Sequence, residues 1–306
     1  MHMTNQHKAY IYGIATVLLW STVASAFKLS LKHLEPAQLL LFSSLVSALA
    51  LTAILAFQGR LTLLFSYTRE QYLHSLLLGL INPFLYYLVL FEAYDRLPAQ
   101  MAQPINYTWA LTITFLSIPL LGQRIGVSEI LAGFVCYSGV VVISTRGSLA
   151  GMQAVSLAGV GLALFSTVLW SLYWIYNTRD TRDPVAGLLL NFLFGLPFIL
   201  AWCLLSTGLT LPSPAGLAGA AYVGLFEMGV TFVLWLMALR LSENTARVGY
   251  LIFLSPFLSL VFIRFLVGEE ILASTVAGLG LIVAGLFLQQ AGATRRKGRE
   301  GRMRTG

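Results

Sequence analysis

Leu18-Leu19-Trp20-Ser21-Thr22 returns 150 residues later as Val168-Leu169-Trp170-Ser171-Leu172, each time inside a long apolar run. Other landmarks echo at similar distances. Glu35-Pro36 is answered by Asp183-Pro184, Ala93 to Leu97 by Ala238 to Leu241, and Gly122-Gln123-Arg124-Ile125 by Gly268-Glu269-Glu270-Ile271, at offsets of 144 to 150. Offsets this constant mark a duplication of about half the chain. The sequence is therefore read as two related halves.

Composition says what solvent those halves occupy. Of 306 residues, 58% are apolar and 10% charged, and the mean hydropathy is +0.80. Soluble domains carry roughly 45–50% apolar and about 25% charged residues. Too little polar surface remains for a water-soluble fold. Apolar spans of the length a bilayer requires run over residues 9–31, 36–57, 71–94, 98–121, 127–145, 156–177, 185–206, 215–239, 243–266 and 272–290. Polar or turn-forming breaks such as Lys32-His33-Leu34-Glu35-Pro36 and Arg179-Asp180-Thr181-Arg182-Asp183-Pro184 separate them. The alternating pattern of a membrane barrel is missing. The expected fold is an all-α integral membrane protein of ten transmembrane helices.

The first span imitates a secretory signal, with His7-Lys8 before it and Ala24-Ser25-Ala26 near its end. Its apolar stretch exceeds the usual h-region of about 7 to 15 residues, and its mid-chain echo rules out a signal role for the pattern. Five spans per half is an odd number, so the second half enters the membrane inverted relative to the first. The expected organisation is a first five-helix repeat over 1–150, an inverted second repeat over 151–290, and a basic tail over 291–306.

The net charge of +7 resembles a nucleic-acid signal only until it is located. Six bases, Arg295, Arg296, Lys297, Arg299, Arg302 and Arg304, crowd the last dozen positions. With the amino terminus inside, fourteen of the nineteen bases fall on the cytoplasmic side, so both termini are expected in the cytoplasm of a cell whose inner (plasma) membrane holds the chain. No nucleic-acid partner is implied. Cys136 and Cys203 both lie in apolar runs and offer neither a disulfide framework nor a metal site.

These residues carry a family likeness. The duplicated five-span halves, the Trp-Ser in the first span of each half, and Gly268-Glu269-Glu270-Ile271 through Gly278, Gly280 and Gly285 resemble the drug/metabolite transporter superfamily, specifically its EamA-type carriers. The likeness covers nearly the whole chain. A Ser-Pro pair common in that family's fourth helix stands here in the ninth span as Ser255-Pro256, and the fourth span instead reads Pro104-Ile105-Asn106-Tyr107-Thr108-Trp109. That Asn-Tyr-x-Trp is similar to YddG-type aromatic amino-acid exporters. Two positions depart from the pattern: Gln123-Arg124 replaces an acidic residue, and Ala110 replaces a proline after Trp109. The resemblance implies a carrier that exports amino acids, aromatic and other neutral ones, by alternating exposure of a central cavity. It implies no cofactor.

Ionisable groups at bilayer depth cost about 2.5–3.5 kcal/mol on insertion scales and so face the bundle interior or a wet cavity. Glu227 lies near the middle of the eighth span, and its repeat mate, at an offset of 145, is Asn82 in the third. Three roles are open to Glu227: binding an amino group, carrying a coupling proton, or a structural tie to Arg247 or another helix. Pro104 removes a backbone hydrogen bond beside Gln100, Gln103, Asn106, Tyr107 and Thr114, which serves either substrate binding or mere packing. Trp20 and Trp170 are symmetry mates at mid-span, away from the interfacial belts tryptophan prefers. With Tyr86, Trp109, Trp235 and Tyr250 they form either an aromatic lining for planar substrates or ordinary packing. The candidate substrate-binding set is Trp20, Asn82, Tyr86, Asn106, Trp109, Trp170, Glu227, Trp235 and Tyr250.

The remaining polar residues read as support. Lys28 is expected to snorkel to the outer interface, Glu92 and Asp95 to gate or to pair with Arg96, and His74 to be solvated. Small-residue spacings, Gly133 with Gly139 and Gly278 with Gly285, allow close helix contact within the fold or in a weak homodimer. The other function class, an intramembrane enzyme, needs a nucleophile with its base or a metal set, and no His-x-x-x-His, Gly-x-Ser-x-Gly or P-loop occurs.

Overall fold

The computed structural model describes residues 4–122, 126–148, 155–177, 179–242 and 250–304, with side chains described to residue 292, Tyr250 excepted. Gln123, Arg124, Arg247 and the boundary at 150 lie outside the described residues, as do the side chains of Tyr250 and of the six terminal bases. All regular structure among the described residues is helical. The elements are α1 (Asn5–Ser30), α2 (Pro36–Phe57), α3 (Arg69–Arg96), α4 (99–121), α5 (Val127–Ser144), α6 (Leu157–Asn177), α7 (Pro184–Ser206), α8 (Pro214–Leu241), α9 (Leu251–Val267) and α10 (Ala273–Arg304). Eight of these are long and apolar enough to cross a membrane; α9 is a shorter apolar helix, and α4 is divided. The chain is thus a multi-pass membrane protein. Its outer surface carries Leu49, Phe57, Phe134 and Leu205 in the open, which suits hydrocarbon and not water.

Helix ends follow the chain's punctuation. Asp183 accepts from the amides of Val185 (3.0 Å) and Ala186 (3.1 Å), and Pro184 takes the first helical position, where a missing N–H is no loss. Thr68 and Gln71 form a reciprocal capping box at the start of α3. Gly122 and Gly268 end α4 and α9 in the left-handed region, at φ 64° and 80°.

Three helices are broken, α3 and α4 near the prolines Pro83 and Pro104 and α8 without one. α3 leaves helical geometry at Asn82 (φ −145°, ψ 116°), because Pro83 has no N–H to continue the ladder; the Asn82–Pro83 peptide is cis. α8 widens to a π-helical turn over Gly224–Gly229, with Gly229 at φ −113°, ψ −96°. The first break falls at Asn82, and the second contains Glu227. α4 divides at Thr108, four residues past Pro104, where the Thr108 amide and hydroxyl both turn back to the Ile105 carbonyl.

The halves are packed into each other rather than side by side: α1 lies against α8 and α9, α2 against α7 and α8, and α3 against α6 and α7. Glu269 accepts from the amides of Ala99 (2.7 Å) and Gln100 (3.0 Å), so the second half caps the start of α4, where Pro98 offers no side-chain cap. At the opposite end Arg182, its side chain 1% exposed, binds Asp180 (2.7 Å), the Gln71 carbonyl (3.1 Å) and Ser75 Oγ (2.8 Å), and lies over the Tyr67 ring. Arg60 pairs with Asp183 beside it at 3.2 Å.

The Lys28 ammonium donates to the carbonyls of Tyr94 (2.7 Å), Leu97 (3.0 Å) and Asp95 (3.3 Å), orphan carbonyls at the end of α3. The Arg182 side chain, counted only as a cytoplasmic base, is buried. Glu92 pairs with Arg96 at 2.9 Å. The glycine spacings serve the fold itself: Gly139 faces the Gly278 carbonyl, and Gly285 abuts the Ala132 carbonyl and Cys136, so α5 and α10 touch backbone to backbone.

Two predictions follow from this packing. Gly139→Val and Gly278→Val force α5 from α10 and cost about 1–3 kcal/mol each, whereas Gly280→Val, with nothing within 4 Å of the new carbon, is near neutral; thermal unfolding in detergent compares them. Burial works to raise the Asp180 carboxyl, but hydrogen bonds and charge from Arg182 outweigh it and hold the pKa below the usual value. The tie therefore stabilises at neutral pH and is lost as pH falls below about 4. Arg182→Gln lowers stability at pH 7 by about 2 kcal/mol and flattens the acid limb of a melting-temperature profile.

Candidate functional site

The Trp-Ser pair repeated in each half has a division of labour. Ser171 of α6 donates to the Trp109 carbonyl (3.2 Å) at the break in α4, and Ser21 of α1 meets Ser255 of α9 (3.3 Å), while Ser259 donates to the Ser21 carbonyl (2.6 Å). Each serine thus ties the first helix of its half to a neighbour. Each preceding tryptophan is left to face inward. Trp20 and Trp170 both line a central cavity of about 160 Å³.

Around Trp170 the rings are continuous. Tyr86 stacks on it at 4.5 Å and Tyr173 at 5.8 Å, while Trp109, Trp174 and Phe232 meet it edge-on at 5.8–6.4 Å. Trp20 lies 5.8 Å from both Phe232 and Trp235. These contacts place a ring on nearly every side of the cavity, in the offset and edge-to-face arrangements aromatic quadrupoles favour.

The polar contribution is small and specific. Tyr87 donates to Glu227 Oε1 at 3.1 Å, from α3 to the widened turn of α8. None of the ion pairs among the described residues includes Glu227. Asn106 donates to Ser166 (2.9 Å) and Gln103 to Ser259 (2.6 Å), which spends their amides on neighbouring helices. The indole N–H groups of Trp20 and Trp174 and Oε1 of Gln103 have no partner among the described residues. A site of this kind can stack a planar group, neutralise one positive charge and accept or donate a few hydrogen bonds. It has no nucleophile–base pair among its lining residues.

Of the expected residues, Trp20, Tyr86, Asn106, Trp109, Trp170, Glu227 and Trp235 come together in the lining. Asn82 does not: it is buried near α7, where Tyr173 faces both it and Asn191. Tyr250 has no described side chain. Sequence reasoning missed Phe27, Tyr94 and Trp174 in the lining and Tyr87 behind Glu227. Trp174 had a signal, one helical turn beyond Trp170. Tyr87 had none, since its role exists only across the two halves.

Similarity to known proteins agrees with this geometry. A model of the EamA-like transporter family matches residues 7–145 and again 157–289. An uncharacterised transporter of Archaeoglobus fulgidus is 23% identical over 289 residues, spanning 93% of this chain and 98% of its own length. An aromatic amino acid exporter, YddG, of Ancylobacter novellus is 27% identical over 264 residues, spanning 83% of this chain and 87% of its own. A solved crystal structure superposes with a TM-score of 0.65 at 22% identity over 92% of this chain and 96% of that one, a likeness of fold. With both halves matched separately, the chain belongs to the EamA-like transporter family.

Proposed function

We propose that the protein is a secondary carrier that exports amino acids, aromatic and other neutral ones, and related small metabolites by alternating access to the cavity around Trp170. The observation that carries this reading is the conjunction of a ring-lined cavity with one carboxylate among its described lining residues, Glu227, at the break of α8. A planar side chain stacks among Trp20, Tyr86, Trp109 and Trp170, and the amino group meets Glu227. The distant likeness to an aromatic amino acid exporter supports the same substrate class.

The proposed architecture is ten spans in two inverted five-helix repeats, 1–150 and 151–290, with 291–306 as a basic tail. The chain sits in the inner membrane with both termini cytoplasmic, as the distribution of bases favours. The matching breaks at 82 and 227 support the inverted repeat, since carriers of that construction bind substrate where helices are interrupted near the midplane. Broken helices are also where one half can rock against the other. Asn82 serves this hinge rather than the lining. Glu227 without an ion-pair partner among the described residues is also a group able to exchange a proton, which makes antiport the second form of the mechanism. The small-residue stripes are spent between α5 and α10, which favours a monomer.

Counterflow in proteoliposomes tests the function. Trans tryptophan or phenylalanine accelerates uptake of labelled amino acid, and no acceleration by any amino acid contradicts the reading. Glu227→Gln and Trp170→Ala each lower transport about tenfold or more, with folded protein retained on size-exclusion chromatography; normal transport by both removes them from the site.

A further inference from the structure

We infer that the cavity selects by charge as well as by ring: its preferred occupant is a monocationic aromatic amine, ahead of the zwitterionic amino acid and far ahead of an aromatic acid. The inference deepens the proposed carrier function and rests on it. Glu227 is the one carboxylate among the described lining residues, and no Lys, Arg or His stands with it. Lys28, one residue past the lining Phe27, is committed to the carbonyls of Tyr94, Leu97 and Asp95. Arg182 is committed to Asp180, Gln71 and Ser75.

An ammonium group entering here gains twice. It neutralises Glu227, which among the described residues has only the Tyr87 hydroxyl as partner, and it meets the rings of Trp20, Trp109 and Trp235 in the lining, whose quadrupoles attract a cation. A substrate carboxylate gains neither. The indole N–H groups of Trp20 and Trp174, without a partner among the described residues, supply hydrogen bonds but no opposite charge, and at low dielectric the carboxylate is repelled by Glu227. Removing that carboxylate while keeping ring and amine therefore improves the fit. Removing the amine while keeping the carboxylate leaves two like charges in one cavity.

Three ligands sharing an indole test this: tryptamine, tryptophan and indole-3-propionate, each competing against labelled tryptamine on the purified, full-length protein, with counterflow run on the same set. The expected result is tryptamine binding about tenfold or more tighter than tryptophan, with indole-3-propionate weakest, and Glu227→Gln collapsing the order. Tryptophan equal to or tighter than tryptamine on the wild-type protein overturns the inference while counterflow by tryptophan leaves the carrier reading standing. If none of the three binds or is transported, both fall. The wild-type order carries the test even where Glu227→Gln does not fold.

Discussion

Hydrocarbon forms no hydrogen bonds, so each polar group this chain takes into the bilayer has to be answered by the protein itself or by a cavity. That constraint organises the molecule. The broken backbones of α3, α4 and α8 all face protein: Ser171 meets the Trp109 carbonyl at one break, and Tyr87 reaches Glu227 at another. Two charges among the described residues are likewise absorbed at helix ends, Lys28 at the end of α3 and Glu269 at the start of α4. Glu227, held by the Tyr87 hydroxyl, lines the cavity instead.

The same constraint explains how the halves cohere. Leucines gain nothing from meeting leucines in a lipid solvent, so specificity falls to backbone contact and to polar ties. Gly139 and Gly278 provide the first between α5 and α10. Arg182, Glu269 and Gln100 provide the second at opposite ends of the bundle, each joining one half to the other. A carrier that exposes its cavity alternately has to loosen one end while the other holds, and polar ties at the ends are suited to that because water can replace them.

Much of this was legible in the sequence. Apolar runs bounded by Pro36, Gly122, Pro184 and Gly268 coincide with helix limits, since proline and glycine act locally at helix ends. Seven of the nine expected site residues meet in the cavity because intramembrane polarity and mid-span tryptophan are signals of composition and depth. What was hidden depends on partners distant in sequence. Nothing in Arg179-Asp180-Thr181-Arg182 reveals that Arg182 turns inward to Ser75, 107 positions away. The widening of α8 at Gly224–Gly229 is likewise invisible to periodicity, and Asn82 reads as a site residue by symmetry although the bend at Pro83 carries it towards α7.

The central claim is that this aromatic cavity is the transport path, opened in turn to each side. The direct measurement is labelling of a single cysteine introduced as Ile252→Cys, a lining position, in a chain whose buried Cys136 and Cys203 are replaced. In oriented vesicles the account predicts labelling by an impermeant thiol reagent from either side, slowed by substrate. Labelling from neither side, or labelling indifferent to substrate, contradicts it.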